Sequence, residues 1–381
     1  MNKDFSHLTP TQLIELRDRY YAGEVVKELE KEYDLSFSLS SRISRLPPLQ
    51  YFDRPCPYCA VPMVSTCLSR SKRHLDWMAH SIHCPSCGHT PDRYSGCNCN
   101  NCQKAKLEKY IEQQEQIKQY YSTHPEPVDF STLSLKNKIY LGALCRELLS
   151  EDLSRILPLR GSNKHLAPTT KLTDQIYTSL LESGAIIVSP DSALTAFDLE
   201  YVDFPTAFQK DAVEYRLNLA FPEKPSELIT SILSPTYYSS IDQSEEILDI
   251  HTQIAISECV EYLLLQMNNV RFSFSPGEKT YKTFEIILQD FSVSQTYGII
   301  WKAVADASKQ YLERKYTKQH AANIVIGSCE RYAARAKLNN WQLSQYRRPR
   351  EIQQSSLSYF FYYRATDIGD NGFISPLPHS T

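Results

Sequence analysis

Eight of the eleven cysteines in this 381-residue chain fall between Cys56 and Cys102, in the order Cys56-x2-Cys59, Cys67, Cys84-x2-Cys87, Cys97-x-Cys99-x2-Cys102. Thiols this crowded must be bridged by a metal or by one another. A tetrahedral zinc ion takes four soft ligands, and a Cys-x2-Cys turn supplies two thiolates from one short loop, so two such turns close one site. Cys56, Cys59, Cys84 and Cys87 make that set. The two pairs are separated by 24 residues, room for a β-hairpin that carries one turn to the other, and each has a proline after its first cysteine, Pro57 and Pro85. Gly88 adds the small residue that such a turn favours.

These paired Cys-Pro-x-Cys units resemble a zinc ribbon. Four thiols remain, Cys67, Cys97, Cys99 and Cys102, the number a second closed zinc site needs if the loop bearing Cys67 folds back. His74, His80, His83 and His89 lie in the same stretch, and any of them is an alternative fourth ligand in place of Cys67. Two Zn2+ ions per chain are expected. A disulfide framework would need an oxidising compartment; the start Met1-Asn2-Lys3-Asp4-Phe5 has no apolar signal core, and no run approaches the ~18 apolar residues of a membrane span. The expectation is a soluble, cytoplasmic protein with no membrane partner. Cys145, Cys259 and Cys329 stand singly in helical patterns, where core packing is the default.

The net charge of −3 conceals an asymmetry. Lys and Arg against Asp and Glu number 15 to 12 in residues 1–110, 14 to 26 in 111–299 and 11 to 4 in 300–351. Any polyanion is therefore expected at the terminal regions, while the acidic centre suits a protein partner or self-association.

The pattern predicts a mainly α, multidomain chain. Residues 1–49 carry three short helices: Thr9-Pro10-Thr11-Gln12 is a capping box with proline at the first helical position, and Gly23 is placed to end the first helix. A third helix from Ser38 to Leu46 puts Leu39, Ile43 and Leu46 on one face and Arg42 and Arg45 on the other. The layout Tyr21-Ala22-Gly23-Glu24-x-Val26-x-x-Leu29-x-x-x-Tyr33-x-Leu35-Ser36 resembles the tri-helical helix-turn-helix of resolvases and transposases. That resemblance implies that Arg42 and Arg45 enter the major groove of duplex DNA. Glu28 stands where that pattern has a small residue.

Residues 50–104 form the zinc module and 105–130 a polar helical linker. In 131–204 helices lead into Ala185-Ile186-Ile187-Val188, a turn at Pro190-Asp191 and a return over Ala193–Phe197, which looks like a winged helix, although Asp191, Asp198, Glu200 and Asp203 crowd the would-be wing. An irregular connection is expected over 205–245, a basic helical domain over 246–350 and a tail over 351–381. In the basic domain Arg347, Arg348 and Arg350 lie near Trp341 and Tyr346, suiting phosphates and bases respectively.

Neither a phosphate-binding glycine loop nor a Gly-x-Ser-x-Gly nor a His-Glu-x2-His motif is present. Arg314-x5-His320 is similar to the Arg/His pairing of HEPN-type ribonucleases, which implies a cation and a general acid/base at a scissile phosphate. The favoured expectation is a zinc-containing DNA-binding protein, a transcriptional regulator or mobile-element accessory; a helical ribonuclease and a non-catalytic assembly subunit are the alternatives.

Overall fold

Thr9 and Gln12 cap one another at the start of α1 (Pro10–Ala22), and Gly23 ends that helix in the left-handed region at φ 104°, which a glycine adopts without strain. The computed structural model in which this is seen describes residues 4–72, 82–91, 96–123, 125–220, 225–234 and 244–378. The chain is mainly helical and divides into two units, Met1–Gln114 and Glu115–Thr381.

In the first unit α1 is followed by α2 (Val26–Glu32) and α3 (Leu39–Arg42), the last a single turn that tightens into a 3-10 turn at Ile43–Arg45. The expected third helix is thus shorter than a groove-reading helix. Leu46 leaves the helical region at ψ 158°, as the residue before Pro47 must. Leu16, Tyr20, Leu29, Leu39, Ile43 and Leu46 bury their side chains together with Cys67, each large side chain contributing roughly 1.5–3 kcal/mol. Tyr21 fastens this cluster to the chain beyond it: its hydroxyl donates to the Leu68 carbonyl (2.7 Å) and accepts the Leu68 N–H (2.9 Å).

The ribbon is a three-stranded antiparallel sheet in the order β1 (Leu49–Pro55), β2 (Pro62–Ser65), β3 (Ile82–His83), with Tyr51 opposite Met63 and Ser65 opposite Ile82. The long helix α4 (Asn100–Tyr121) follows, as its polar pattern predicts, and the division between the units falls within it.

The second unit holds two apolar cores, and one helix serves both. Of the 26 residues of α8 (Ser244–Asn269), Ile250 and Ile254 enter the first core, while Cys259, Leu263 and Met267 enter the second. The first core is built around α5 (Leu135–Leu148) and α6 (Thr170–Glu182); α7 (Pro225–Leu233) adds to it. The second packs α9 (Glu278–Leu288), α10 (Val293–Leu312) and α11 (Lys318–Leu338) against α8.

Three expectations are corrected here. Strand β4 (Ile186–Val188) does not return through Ala193–Phe197. It pairs with β5 (Tyr215–Leu217), inside the segment expected to be irregular, while Leu194–Ala196 is a 3-10 turn. Two buried serines redirect the chain: Ser189 N–H donates to the Glu214 carbonyl (2.8 Å), and the Ser192 hydroxyl accepts Glu214 N–H (3.1 Å). Residues 351–381 are not a loose tail. Helix α12 (Ser356–Phe360) and the π-helical turn Phe361–Ala365 bury Leu357, Phe360, Phe361 and Tyr362. Gly142 in α5 permits this approach, because a Cβ there would lie 2.2 Å from Phe360 Cζ. Cys145, Cys259 and Cys329 are fully buried, and burial pushes the Cys145 and Cys329 thiols up to about 12, the inert state expected of core thiols.

Candidate metal centres

The loops after β1 and after β3 repeat one backbone design. Cys56 N–H donates to the Val61 carbonyl (2.9 Å) and Ala60 N–H to the Cys56 carbonyl (2.9 Å); Cys84 N–H donates to the His89 carbonyl (2.7 Å) and Gly88 N–H to the Cys84 carbonyl (2.9 Å). Each design needs a left-handed residue just past its second cysteine, and Ala60 (φ 55°) and Gly88 (φ 70°) occupy those places. Gly88 does so freely, Ala60 at some strain.

The two loops bring Cys56, Cys59, Cys84 and Cys87 together with their sulfurs within 4.8 Å of one another. Cys56 Sγ and Cys87 Sγ are 3.7 Å apart, too far for a disulfide. Four thiolates at about 2.3 Å from a tetrahedral ion would be about 3.8 Å from each other, so the donor set fits zinc. Burial would raise the Cys84 thiol, but bonds from the Cys87 and Ser86 N–H groups and the neighbouring sulfurs of Cys87 and Cys56 outweigh it and bring it below its ordinary value. Such N–H groups favour the thiolate, the form that binds metal.

A second group joins His89, Cys97, Cys99 and Cys102, with ligand atoms again within 4.8 Å of one another and His89 Nδ1 3.2 Å from Cys102 Sγ. Thr90 and Cys99 donate backbone N–H bonds to Cys97 Sγ at 3.3 and 3.4 Å. Cys97, like Cys84, is lowered against the effect of burial by these N–H groups. Three soft thiolates and an imidazole suit zinc in a closed structural site.

Of the open alternatives for the fourth ligand that lie among the described residues, His89 stands in the group and Cys67 does not. Cys67 is fully buried among Leu16, Tyr20 and Leu39 and donates its S–H to the Pro47 carbonyl (3.3 Å). The other polar groups on its sulfur, the Tyr21 hydroxyl and the Leu49 N–H, are not metal ligands, and burial raises this thiol. His83 lies in β3, outside both groups, and His74 and His80 fall outside the described residues. Both groups could hold a metal ion with the residues present, and all eleven cysteines are free thiols.

The expected nucleic-acid residues are scattered. Arg45 is exposed, whereas Arg42 is half-buried with its guanidinium 4.6 Å from the Phe37 ring centre. Arg347 and Arg350 are exposed. Arg348 is turned inward, 2.6 Å from Glu258 Oε1 and over the Phe373 ring, and is a structural cation rather than a phosphate contact. Arg314 sits on the turn after α10 at φ 56°, beside a shallow cavity of about 510 Å³ lined also by Tyr311 and Tyr316. The His320 ring lies against Tyr316, the centroids 4.5 Å apart and the planes tilted by 39°, and does not line that cavity.

Two features were not singled out in the sequence. Tyr58 lies between the first two ligands, with its hydroxyl 3.5 Å from Cys102 Sγ of the other group. Gln50, Phe52, Asp53 and Arg54 of β1 are all exposed, Phe52 with 76% of its surface, and the pairing with β2 is interrupted by a bulge between Tyr51 and Pro55.

No protein-family model, curated protein or solved structure matches the chain. No described helix is long and apolar enough to cross a membrane.

Proposed function

We propose that the protein binds single-stranded nucleic acid through a surface that two zinc ions hold together. The observation that carries this reading is Phe52, a large aromatic ring standing out from an edge strand between Gln50 and Arg54. A ring so exposed gains nothing for folding, and a base stacked on it would bury it. Arg54 would then meet the phosphates, and Gln50 a base edge. Charge agrees. Residues 42–109 hold ten Lys and Arg against four Asp and Glu. A zinc ion with four thiolates carries two negative charges and one with three thiolates and an imidazole carries one, so 10 − 4 − 3 leaves an excess of three positive charges.

Duplex DNA is the less favoured ligand, because the third helix is a single turn and an exposed aromatic prefers unpaired bases. The measurement is fluorescence anisotropy with a labelled oligothymidylate and with the same length of duplex. Phe52→Ala should weaken single-strand binding about 5- to 150-fold, the range of one stacked base (about 1–3 kcal/mol), and leave the zinc content unchanged. Log affinity should fall with log salt at about −0.7 per phosphate contact. Equal affinity of the Phe52→Ala variant and the parent, or tighter binding of duplex, sinks the proposal. Absence of binding to either would favour an assembly subunit whose zinc only supports a docking surface.

A further inference from the structure

The two metal groups share parts. His89, whose carbonyl closes the turn of Cys84 and Cys87, offers its imidazole to the other group. Tyr58 sits in the turn between Cys56 and Cys59, and its ring meets the His89 ring edge-on at 5.2 Å and 85°. Its hydroxyl reaches Cys102 Sγ at 3.5 Å. When Cys102 is a metal-bound thiolate, only the tyrosine has a proton to give, so the O–H donates to the sulfur.

The parts that join the two groups sit on the turns of the first. Both the direction of His89 and the position of Tyr58 follow from turns that a metal in the first group clamps shut. The hydrogen bonds reaching the four sulfurs of that first group come from residues within 56–89, among the described residues. Nothing from Cys97 to Cys102 is needed to arrange them. Hydrogen-bond donors of this kind orient ligands and withdraw charge from a thiolate, which holds it against loss of the ion.

We propose that the two groups form one interlocked metal unit, in which Tyr58 is the hydrogen-bond donor that secures Cys102, and the second ion is held only when the first is in place. Tyr58 is a positioning residue, acting on the metal through Cys102. The inference rests on the reading that both groups hold metal, and its test separates the two.

Native mass spectrometry of the full chain counts bound zinc, and titration with Co2+ follows the thiolate-to-metal band of each site. The parent should hold two ions. Cys99→Ser should hold one, in the first group. Cys59→Ser should hold none tightly, although its second group is chemically intact. Tyr58→Phe, which removes one hydroxyl, should keep two ions, release the second to a chelator at 10- to 100-fold lower competitor concentration, and shift the cobalt band of that site alone. A Cys59→Ser chain that retains one ion as firmly as the parent retains its second overturns the interlock. So does a Tyr58→Phe chain with parental affinity and spectrum, even if Cys59→Ser fails to fold. A parent chain without metal would overturn the metal reading itself.

Discussion

Arg348 reaches 2.6 Å from Glu258 Oε1, and Glu258 is only 2% exposed. Ser358 donates to the same oxygen at 2.6 Å, and the Glu258 Oε2 atom is buried with no hydrogen-bond partner. The cation therefore holds residues around 348 and 358 against α8. Removing it strands a buried carboxylate. Arg348→Ala should lower the unfolding free energy by about 3–5 kcal/mol, whereas Arg347→Ala and Arg350→Ala, at exposed positions, should each change it by less than about 0.5 kcal/mol. Denaturant titrations of the three variants compare them directly.

Gly142 offers a steric test of the same C-terminal segment. A methyl group there would meet the Phe360 ring at 2.2 Å, and both residues are in the first core of the second unit. Gly142→Ala should cost about 1–3 kcal/mol through overpacking. Adding Phe360→Leu should restore part of the loss, a coupling that a double-mutant cycle measures.

Cys67 and His89 are told apart by metal counting. His89→Ala should bring the chain from two zinc ions to one. Cys67→Ala should keep both ions and lose about 1–2 kcal/mol of stability, the consequence of a small cavity among Leu16, Tyr20 and Leu39. Chelation of the parent should unfold the ribbon, whose core is little more than Met63, Ile82 and the ligands themselves, and leave the helices of the second unit intact by hydrogen exchange.

The equivalent residues Ala60 and Gly88 should respond in opposite senses. Gly88→Ala places a side chain at φ 70° with nothing within 4 Å, so backbone strain alone should weaken zinc retention, by about 1–2 kcal/mol. Ala60→Gly removes strain at φ 55° and should make the first ion harder to extract, by up to about 1 kcal/mol.

His165 gives the second unit a pH dependence. Its Nε2 lies 3.1 Å from Glu261 Oε1 and its Nδ1 3.0 Å from the Gln353 carbonyl, so both nitrogens face acceptors and the doubly protonated ring satisfies both. The Glu261 bond, with Glu147 nearby, raises the imidazole above its ordinary value, while burial raises Glu261. A raised histidine contributes stability that is complete below its unfolded value near 6.5 and lost as pH rises through the folded one. Thermal unfolding between pH 6 and 9 should show stability falling with pH, and His165→Gln should remove that slope.

Local chemistry was legible in the chain itself. The capping box at Thr9, the stop at Gly23, the helices of the second unit other than α7 and α12, and the four-cysteine set of the ribbon each depend on residues whose spacing specifies their geometry over a few positions. Helical periodicity also predicted the mainly α fold, because a repeat of 3.6 is written along the chain and needs no partner. What the sequence left open were relationships across distance. Of the five candidates for one ligand place, Cys67, His83 and His89 lie among the described residues, and only the fold, by burying Cys67 among Leu16, Tyr20 and Leu39 and aiming His89 from the end of a closed turn, decided among these three. Arg348 reads like its neighbours Arg347 and Arg350 until Glu258, ninety residues earlier, turns it inward. The strand at Ile186–Val188 looked for a hairpin partner nearby and found Tyr215–Leu217, since pairing is settled by buried hydrogen bonds at Ser189 and Ser192 that no period records. Spacing determines what a segment is able to form; burial and charge, which exist only once the chain is packed, decide which of those forms is used.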